Sequence, residues 1–505
     1  MKSKKIAINL VVLLFQNIVK IIGAFLLMRT IINIYGSSIN GLSSSINGVL
    51  SYLNILDLGI GAATMYALYK PLEEKDYDMI NKIISKTDRI FKKIGGIMFL
   101  IICMISFVYP LIIKSSYSNK FISEVIIICG INYILEYFFD GKYNLLFMAD
   151  QKIYIPKLVF TLSYIVHTIL SLILCNLKLN FIWIKMALII GALIRIVFMN
   201  ILVKKYYPWL KKVLKSEINI ISMTRDIFVQ KISSLIFSST DIILISTMIG
   251  VEEASVYAVY NLVYNGLANL MTAIVDASVG SFGSVCASKN LNGIRNAYNS
   301  FNYMMIFISS ILITCWWSLI IPFVKVYTKG ITDVSYINKS LGMAMGLMFA
   351  LKFYRSASAV IINSMGMFGK VKLIYVIEAV INLFFSYILV FNFGISGVIV
   401  GSVVALAFSS LCMLRLVFKY ITLQEINYKI YIINFVTAIL QTIILSSIGA
   451  RVSINSYFSF IFYGFIYLCI TGITFTIVNY IFFPINIKAL FNKLKNIFKS
   501  TDRGY

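Results

Sequence analysis

Long apolar segments alternate with short polar loops from one end of the chain to the other. Apolar runs of about 18 residues or more predict membrane-spanning helices. The pattern predicts fourteen spans, which lie roughly at 6–34, 39–69, 94–113, 121–139, 158–177, 181–203, 227–249, 254–285, 300–324, 340–365, 373–393, 396–414, 431–449 and 456–483. The composition agrees, since 60% of the 505 residues are hydrophobic and only 13% are charged, against about 25% charged in soluble domains.

The spans also contain an internal repeat. Gln16 precedes Gly36 by the same interval that separates Gln230 from Gly250, which places the first and seventh spans in equivalent positions. We therefore predict an all-α polytopic membrane protein in which two parallel six-helix lobes are followed by two further helices. The predicted domains are an N-terminal lobe at 1–205, a basic connector at 206–226, a C-terminal lobe at 227–420, two additional helices at 421–483 and a basic tail at 484–505.

The net charge of +25 reflects the orientation of these spans in the membrane. Of the 45 Lys and Arg residues, 31 lie in alternate segments that begin with the N-terminus, and 7 lie in the opposite loops. Because short loops rich in Lys and Arg stay cytoplasmic, both termini are predicted to be inside. These charges are expected to contact anionic membrane lipids, and no nucleic-acid partner is predicted.

The remaining seven cations lie within the spans, where a charge at the bilayer centre costs about 2.5–3.5 kcal/mol even on the lenient insertion scale. They are Lys20, Arg29, Lys185, Arg195, Lys231, Lys352 and Arg355. Such an excess over intramembrane acids indicates an anionic substrate. Lys185 and Lys231 lie near span ends, where long side chains extend to the interface, and Arg195 is a candidate partner of Glu136. Lys20, Arg29, Lys352 and Arg355 remain the candidates for substrate binding.

Polar residues recur every three or four positions on the second and eighth spans, so each set falls on one helix face. The second span carries Asn40, Ser44, Asn47, Ser51 and Asn54, and the eighth carries Asn261, Asn265, Asn269, Thr272 and Asp276. Such stripes either join helices by hydrogen bonds or line a hydrated cavity. The predicted cavity-lining residues are Gln16, Asn47, Asn54, Asp57, Asn265, Asn269 and Asp276.

The N-terminal region resembles a known family of transporters. The resemblance rests on RTIINIYGSSINGL at 29–42, DLGIGAA at 57–63 and LYKPLEEKD at 68–76. These segments are similar to the N-terminal signature of Wzx-type polysaccharide flippases, which belong to the multidrug/oligosaccharidyl-lipid/polysaccharide (MOP) exporter superfamily. The resemblance implies two lobes around a central cavity, in the cytoplasmic membrane of a bacterium. It further implies that the substrate, an undecaprenyl-diphosphate-linked oligosaccharide, moves from the inner to the outer leaflet by alternating access. A polysaccharide polymerase and a chain-length regulator are the implied protein partners.

The sequence contains no nucleophile–base arrangement, P-loop or metal-ligand cluster, so neither an enzyme nor a cofactor is predicted. The resemblance extends to lipid II flippases, which carry a sodium site on corresponding helices. It makes Asp241, Glu378 and Asn382 candidates for binding a coupling Na⁺, and the same carboxylates are candidates for H⁺ coupling. The alternative functions are a multidrug and toxic-compound extrusion (MATE) antiporter and a lipid II flippase. The first span holds Lys20 and Arg29 but no acid, which disfavours a cationic drug as substrate.

Overall fold

The structure is a computed structural model that describes residues 2–57, 59–213, 225–288, 290–423, 426–449 and 454–492. No β-strand occurs in these ranges. The helices are α1 Lys2–Ser51, α2 Ile60–Glu74, α3 Tyr77–Ile112, α4 Asn119–Leu135, α5 Gly141–Ala149, α6 Tyr154–Asn176, α7 Phe181–Tyr206, α8 Arg225–Leu244, α9 Val251–Ala287, α10 Leu291–Tyr327, α11 Lys339–Tyr354, α12 Ser356–Ser364, α13 Phe368–Val417, α14 Tyr428–Gly449 and α15 Tyr457–Phe482. A 3₁₀ turn covers Tyr52–Asp57, and π turns cover Glu136–Asp140, Ile245–Ile249 and Phe418–Thr422.

Twelve helical segments of the described chain are long and apolar enough to cross a membrane. Two of them each contain two helices joined at a glycine with positive φ, Gly36 (φ 83°) in α1 and Gly394 (φ 57°) in α13. Glycine adopts these backbone angles without the steric penalty of a Cβ. Counting each joined pair as two gives fourteen spans, which confirms the predicted multi-pass helical fold.

By packing, the chain divides into two compact units, Met1–Ser255 and Val256–Tyr505. Each unit has apolar cores of its own. In the first, Leu42, Ile46 and Leu50 are fully buried among residues of α3, α4 and α7, while α10 packs against α14 and α15 in the second. The helix α8 therefore packs with the first unit, although the repeat assigns it to the second lobe. The lobe boundaries drawn from the repeat remain a prediction.

The second predicted span, 39–69, is wrong as a continuous helix. The α-helix ends at Ser51, a 3₁₀ turn follows, and α2 begins only at Ile60. The break coincides with Gly59, whose φ of 95° lies in the left-handed region. Asn54 consequently lies in the 3₁₀ turn and does not continue the helical stripe of Asn40 and Asn47.

The helix α13 folds back on itself after Gly394, and small polar side chains hold its two arms together. Ser386 Oγ donates to the Val398 carbonyl oxygen (2.8 Å), and Asn382 Nδ2 donates to Ser402 Oγ (2.8 Å). A Cβ on Gly397 would overlap the Leu389 carbonyl oxygen, and one on Gly401 would overlap the backbone of Ser386. The arms thus approach more closely than larger residues would allow, as small residues permit between membrane helices.

The outermost apolar side chains fit a lipid environment. On α15, Phe458 is 82% exposed and Ile461 and Phe465 are also exposed. Exposed apolar patches of this extent are rare on soluble monomers and mark membrane or partner surfaces. Together with the span count, this surface identifies a multi-pass membrane protein.

The close approach within α13 gives a stability prediction. Gly401→Ala is expected to lower the free energy of unfolding by about 1–3 kcal/mol, because the new methyl group forces the two arms apart. Gly472→Ala on α15 is the matched control, since a Cβ there meets no atom within 4 Å. Equilibrium unfolding of the purified protein in mixed micelles measures both. Equal stability of the two variants would contradict the tight packing.

Candidate substrate and ion sites

In the first unit, a buried ionic cluster lies where the fourth span is interrupted. The π turn Glu136–Asp140 separates α4 from α5. Arg195, from α7, places Nε 2.7 Å from Asp140 Oδ2 and Nη1 3.5 Å from Glu136 Oε2. The Phe160 ring packs 4.9 Å from the guanidinium carbon. Glu136 was the expected partner of Arg195, and Asp140 is a second, closer partner that the sequence pattern did not indicate.

Lys20, the first diphosphate candidate, is exposed on α1. Its charged neighbours are Glu136 and Lys157, and its carbonyl oxygen accepts a hydrogen bond from Tyr164 Oη (3.1 Å). Gln16 is buried one turn earlier, whereas Arg29 is half-buried. Lys20 is therefore accessible to a ligand from the surface of the first unit and has a carboxylate nearby that can compete for it.

In the second unit, the tenth span is interrupted at a pair of cations. The helix α11 ends at Tyr354, Arg355 forms the turn, and α12 begins at Ser356. Arg355 Nη1 lies 2.8 Å from Glu378 Oε2, contacts Ser409, and has its guanidinium carbon 5.8 Å from the centre of the Tyr375 ring. Glu378 is only 2% exposed, so this pair is withdrawn from solvent.

Lys352, one turn before Arg355, is held by aromatic rings. Its Nζ lies 5.7 Å from the centre of the Tyr264 ring and 5.6 Å from that of Phe353. It forms no ion pair with any residue that the structure describes. Because Glu378 faces both Lys352 and Arg355, the cluster carries one more positive than negative charge. An anion would balance it.

In the predicted repeat, the two interruptions fall in equivalent spans, the fourth of one half and the tenth of the other. In transporters built from repeats, interrupted spans in matching positions are the best sequence-level indication of a binding site. The first-unit interruption carries the acids Glu136 and Asp140, and the second-unit interruption carries the cations Lys352 and Arg355.

The predicted polar stripes have mixed surroundings. Asn40 is buried, and its Nδ2 donates to Ser255 Oγ (2.7 Å). Asn47 and Asn54 are exposed, and so are three residues of the second unit: Asn265, Asn269 and Asp276. The side chain of Asp57 lies outside the described residues. Hydrogen bonding between helices thus explains Asn40, while the exposed residues can contact a solute.

A row of short polar contacts joins the second half of α1 and its 3₁₀ turn to α8 and the start of α9. It consists of Ser38–Glu252 (2.6 Å), Asn40–Ser255 (2.7 Å), Ser45–Ser246 (2.5 Å), Ser51–Ser239 (2.8 Å) and Tyr52–Thr240 (3.0 Å). Gly41 lets this surface approach the Val251 carbonyl oxygen directly, because any Cβ would overlap it. The serines at 38 and 45 were not among the predicted site residues, and their contacts follow only from the packing.

The coupling-ion candidates are distributed over the two units. Asp241 is buried in the first. In the second, Glu378 is bound by Arg355, and Asn382 Nδ2 donates to Ser402. A guanidinium at 2.8 Å leaves Glu378 poorly placed to bind a second cation. Among the described residues, no group of three or more His, Cys, Asp or Glu side chains is arranged to hold a metal ion.

The side chain of Lys185 does not extend to the membrane interface as predicted. It was expected to extend to the membrane interface, but it is only 9% exposed, and its Nζ donates to Ser43 Oγ (2.5 Å) on α1 and lies 5.1 Å from the Phe181 ring centre. Its helix face turns inward because α7 packs against α4 and α6. Lys231 is exposed, as its position near a span end suggested.

Similarity to known proteins is confined to the fold. No family model matches the sequence, and no curated protein matches it. A solved structure described as lipid II flippase MurJ in an inward closed conformation has a TM-score of 0.67 at 14% identity, covering 94% of this chain and 98% of that one. An inward-facing MATE family transporter of the MOP superfamily has a TM-score of 0.60 at 13% identity, with 84% and 95% covered. The outward-facing structure of a MATE family transporter gives 0.51 at 13% identity, with 86% and 96% covered. The protein therefore has a MurJ- and MATE-like fold, as the sequence predicted.

The ion pair in the second unit gives a second stability prediction. Glu378→Gln is expected to destabilise the protein by about 3–5 kcal/mol, because it leaves the Arg355 charge buried without a partner. The double variant Arg355→Gln, Glu378→Gln should recover part of the loss. Removal of the exposed Lys70–Glu74 pair (3.7 Å) by Lys70→Ala should leave the unfolding curve unchanged. A Glu378→Gln variant as stable as the wild type would show that the pair is hydrated.

Proposed function

We propose that this protein is a flippase for lipid-linked oligosaccharides in the bacterial cytoplasmic membrane. Its proposed substrate is an undecaprenyl-diphosphate-linked repeat unit, moved from the inner to the outer leaflet for cell-surface polysaccharide synthesis. The observation that carries the proposal is the excess positive charge of the Lys352–Arg355–Glu378 cluster at the break in the tenth span.

The chemistry of the substrate fits this charge. A diphosphate is strongly anionic, and Arg and Lys are the side chains that bind phosphate oxygens. The prenyl tail can remain in the lipid, so only the sugar diphosphate needs a polar path. Lys20 and Lys352 are the proposed diphosphate contacts. Exposed amides at Asn47, Asn265 and Asn269 are proposed to bind sugar hydroxyls.

Two other functions share this fold. A lipid II flippase is the second candidate, because the MurJ structure matches over 94% of this chain and lipid II is also a prenyl diphosphate carrying sugars. A MATE-type antiporter for cationic drugs is less well supported. The first span carries Lys20 and Arg29 but no acid, and the buried Glu378 is already bound by Arg355.

The energy source and the protein partners belong to the same proposal. A transmembrane gradient of Na⁺ or H⁺ would drive alternating access. Of the candidates Asp241, Glu378 and Asn382, Asp241 is the first for sensing the ion, because Glu378 is bound by Arg355 and Asn382 donates to Ser402. A polysaccharide polymerase and a chain-length regulator are the proposed partners that use the exported repeat units. No metabolic cofactor is proposed.

The proposal predicts the consequence of deleting the gene. Undecaprenyl-linked repeat units should accumulate on the inner leaflet, and the surface polymer should disappear. Mass spectrometry of extracted lipids measures the first effect, and surface labelling of the polymer measures the second. Accumulation of lipid II instead would favour the second candidate. An unchanged lipid pool with altered sensitivity to cationic drugs would contradict the flippase proposal.

A matched pair of lysine variants tests the substrate contacts. Lys352→Gln and Lys20→Gln should each lower binding of the purified protein to an undecaprenyl diphosphate sugar by at least about tenfold, which corresponds to about 1.4 kcal/mol. Lys231→Gln is the control, since Lys231 is, like Lys20, an exposed cation within a span. Binding to nanodiscs is measured against the monophosphate analogue. Equal losses for all three lysines would indicate a nonspecific charge effect.

A further inference from the structure

The acidic cluster of the first unit has a feature that the flippase proposal does not use. Asp140 is fully buried, with 0% exposure of its side chain, yet neither Oδ1 nor Oδ2 accepts a hydrogen bond from any described residue. Oδ2 forms an ion pair with Arg195 Nε at 2.7 Å. Buried carboxylate oxygens without a donor are rare in native proteins, and each one calls for an explanation.

One cation contacts both carboxylates of the cluster. Arg195 forms ion pairs with Asp140 and Glu136, and no second cation of the described residues forms an ion pair with either acid. An ionised carboxylate that is buried without hydrogen-bond donors is strongly unfavourable. One added proton would neutralise Asp140 and convert one of its oxygens into a hydroxyl group.

The surrounding ionisable groups do not neutralise Asp140, whose charged neighbours are Arg195 and Glu136. The π turn packs against α3, α4, α5 and α7. On α3, Asp88 is held by Lys92 and by Lys142 from α5. Tyr133, from α4, faces Glu136. From α1, Lys20 also faces Glu136, and it in turn faces Lys157 from α6.

A metal ion fits this cluster less well than a proton. Sodium and other hard cations are bound by several oxygen ligands, whereas here a guanidinium occupies the space beside both carboxylates. Arg195 would repel any bound cation, but it tolerates a neutral acid. The π turn is an irregularity in the helix of a kind that is frequent at functional sites.

We propose that Glu136 and Asp140 form a proton-binding site that takes up one proton per molecule. Solvent donates the proton to a carboxylate oxygen, and no electrons are transferred. Glu136, which is 39% exposed, is the group that exchanges with water, and Asp140 is the buried group that holds the proton on an oxygen without a hydrogen-bond donor. The site uses none of the coupling-ion candidates Asp241, Glu378 and Asn382, and it does not depend on which lipid the protein carries.

Infrared difference spectroscopy tests the site in the full-length protein in nanodiscs, without any substrate. Between about pH 4 and pH 9, the wild type should show a carbonyl band of a protonated carboxylic acid that grows as the pH falls. Asp140→Asn should lose this band. Glu74→Gln is the control, because Glu74 is an acid outside the cluster in an exposed pair with Lys70, and it should keep the band.

Two further variants keep the test decisive if Asp140→Asn does not fold. Asp140→Glu should retain a titrating band, and Arg195→Gln should keep the band to higher pH because the neutralising cation is gone. Absence of a titrating band in the wild type, or its persistence in Asp140→Asn, would overturn the proposal. A band that disappears on adding sodium at fixed pH and ionic strength would also overturn it, in favour of a metal-ion site.

Discussion

Charge inside a membrane must be neutralised, hydrated or held by polar groups, and this constraint organises the interior of the protein. Two arginines are neutralised by buried carboxylates: Arg195 by Asp140, and Arg355 by Glu378. Removing one member of such a pair costs more than the pair contributes, because the other charge remains. Lys352 forms no ion pair with a described residue and lies near two aromatic rings and near Arg355 and Glu378. We place the anionic substrate at this excess positive charge and the proton at Asp140, whose oxygens have no hydrogen-bond donor among the described residues.

The charged clusters lie at the breaks in the fourth and tenth spans, one in each unit. Glu136 and Asp140 are four residues apart, a spacing that places side chains on one helix face, and both contact Arg195 from the π turn between α4 and α5. Arg355 reaches Glu378 from the joint between α11 and α12. Gly36 and Gly394 each mark the point where one span ends and the next begins.

The sequence was informative wherever hydrophobicity decides the outcome. The length of apolar runs predicted fourteen spans, and Gly36 and Gly250, which the predicted repeat pairs, both have positive φ, 83° and 158°. It failed where local backbone chemistry or packing decides. Gly59 broke the second span, and helix packing buried Lys185 against Ser43. Asp140 was not predicted as a site residue because it lies just after the predicted end of the fourth span, where an acid is typical of a loop. The pairing of cations with acids depends on contacts between helices that are distant in the sequence. The spacing of residues along the chain does not reveal these contacts.

Translocation in proteoliposomes tests whether the excess positive charge at Lys352 and Arg355 binds a lipid diphosphate. A fluorescent oligosaccharide on undecaprenyl diphosphate is placed in both leaflets, and the fraction reached by an impermeant quencher is followed after an ion gradient is imposed. The wild type should move the labelled lipid between leaflets, Lys352→Gln should not, and Lys231→Gln should remain active. Movement that is equally fast in Lys352→Gln, or absent from the wild type under every gradient, would contradict it.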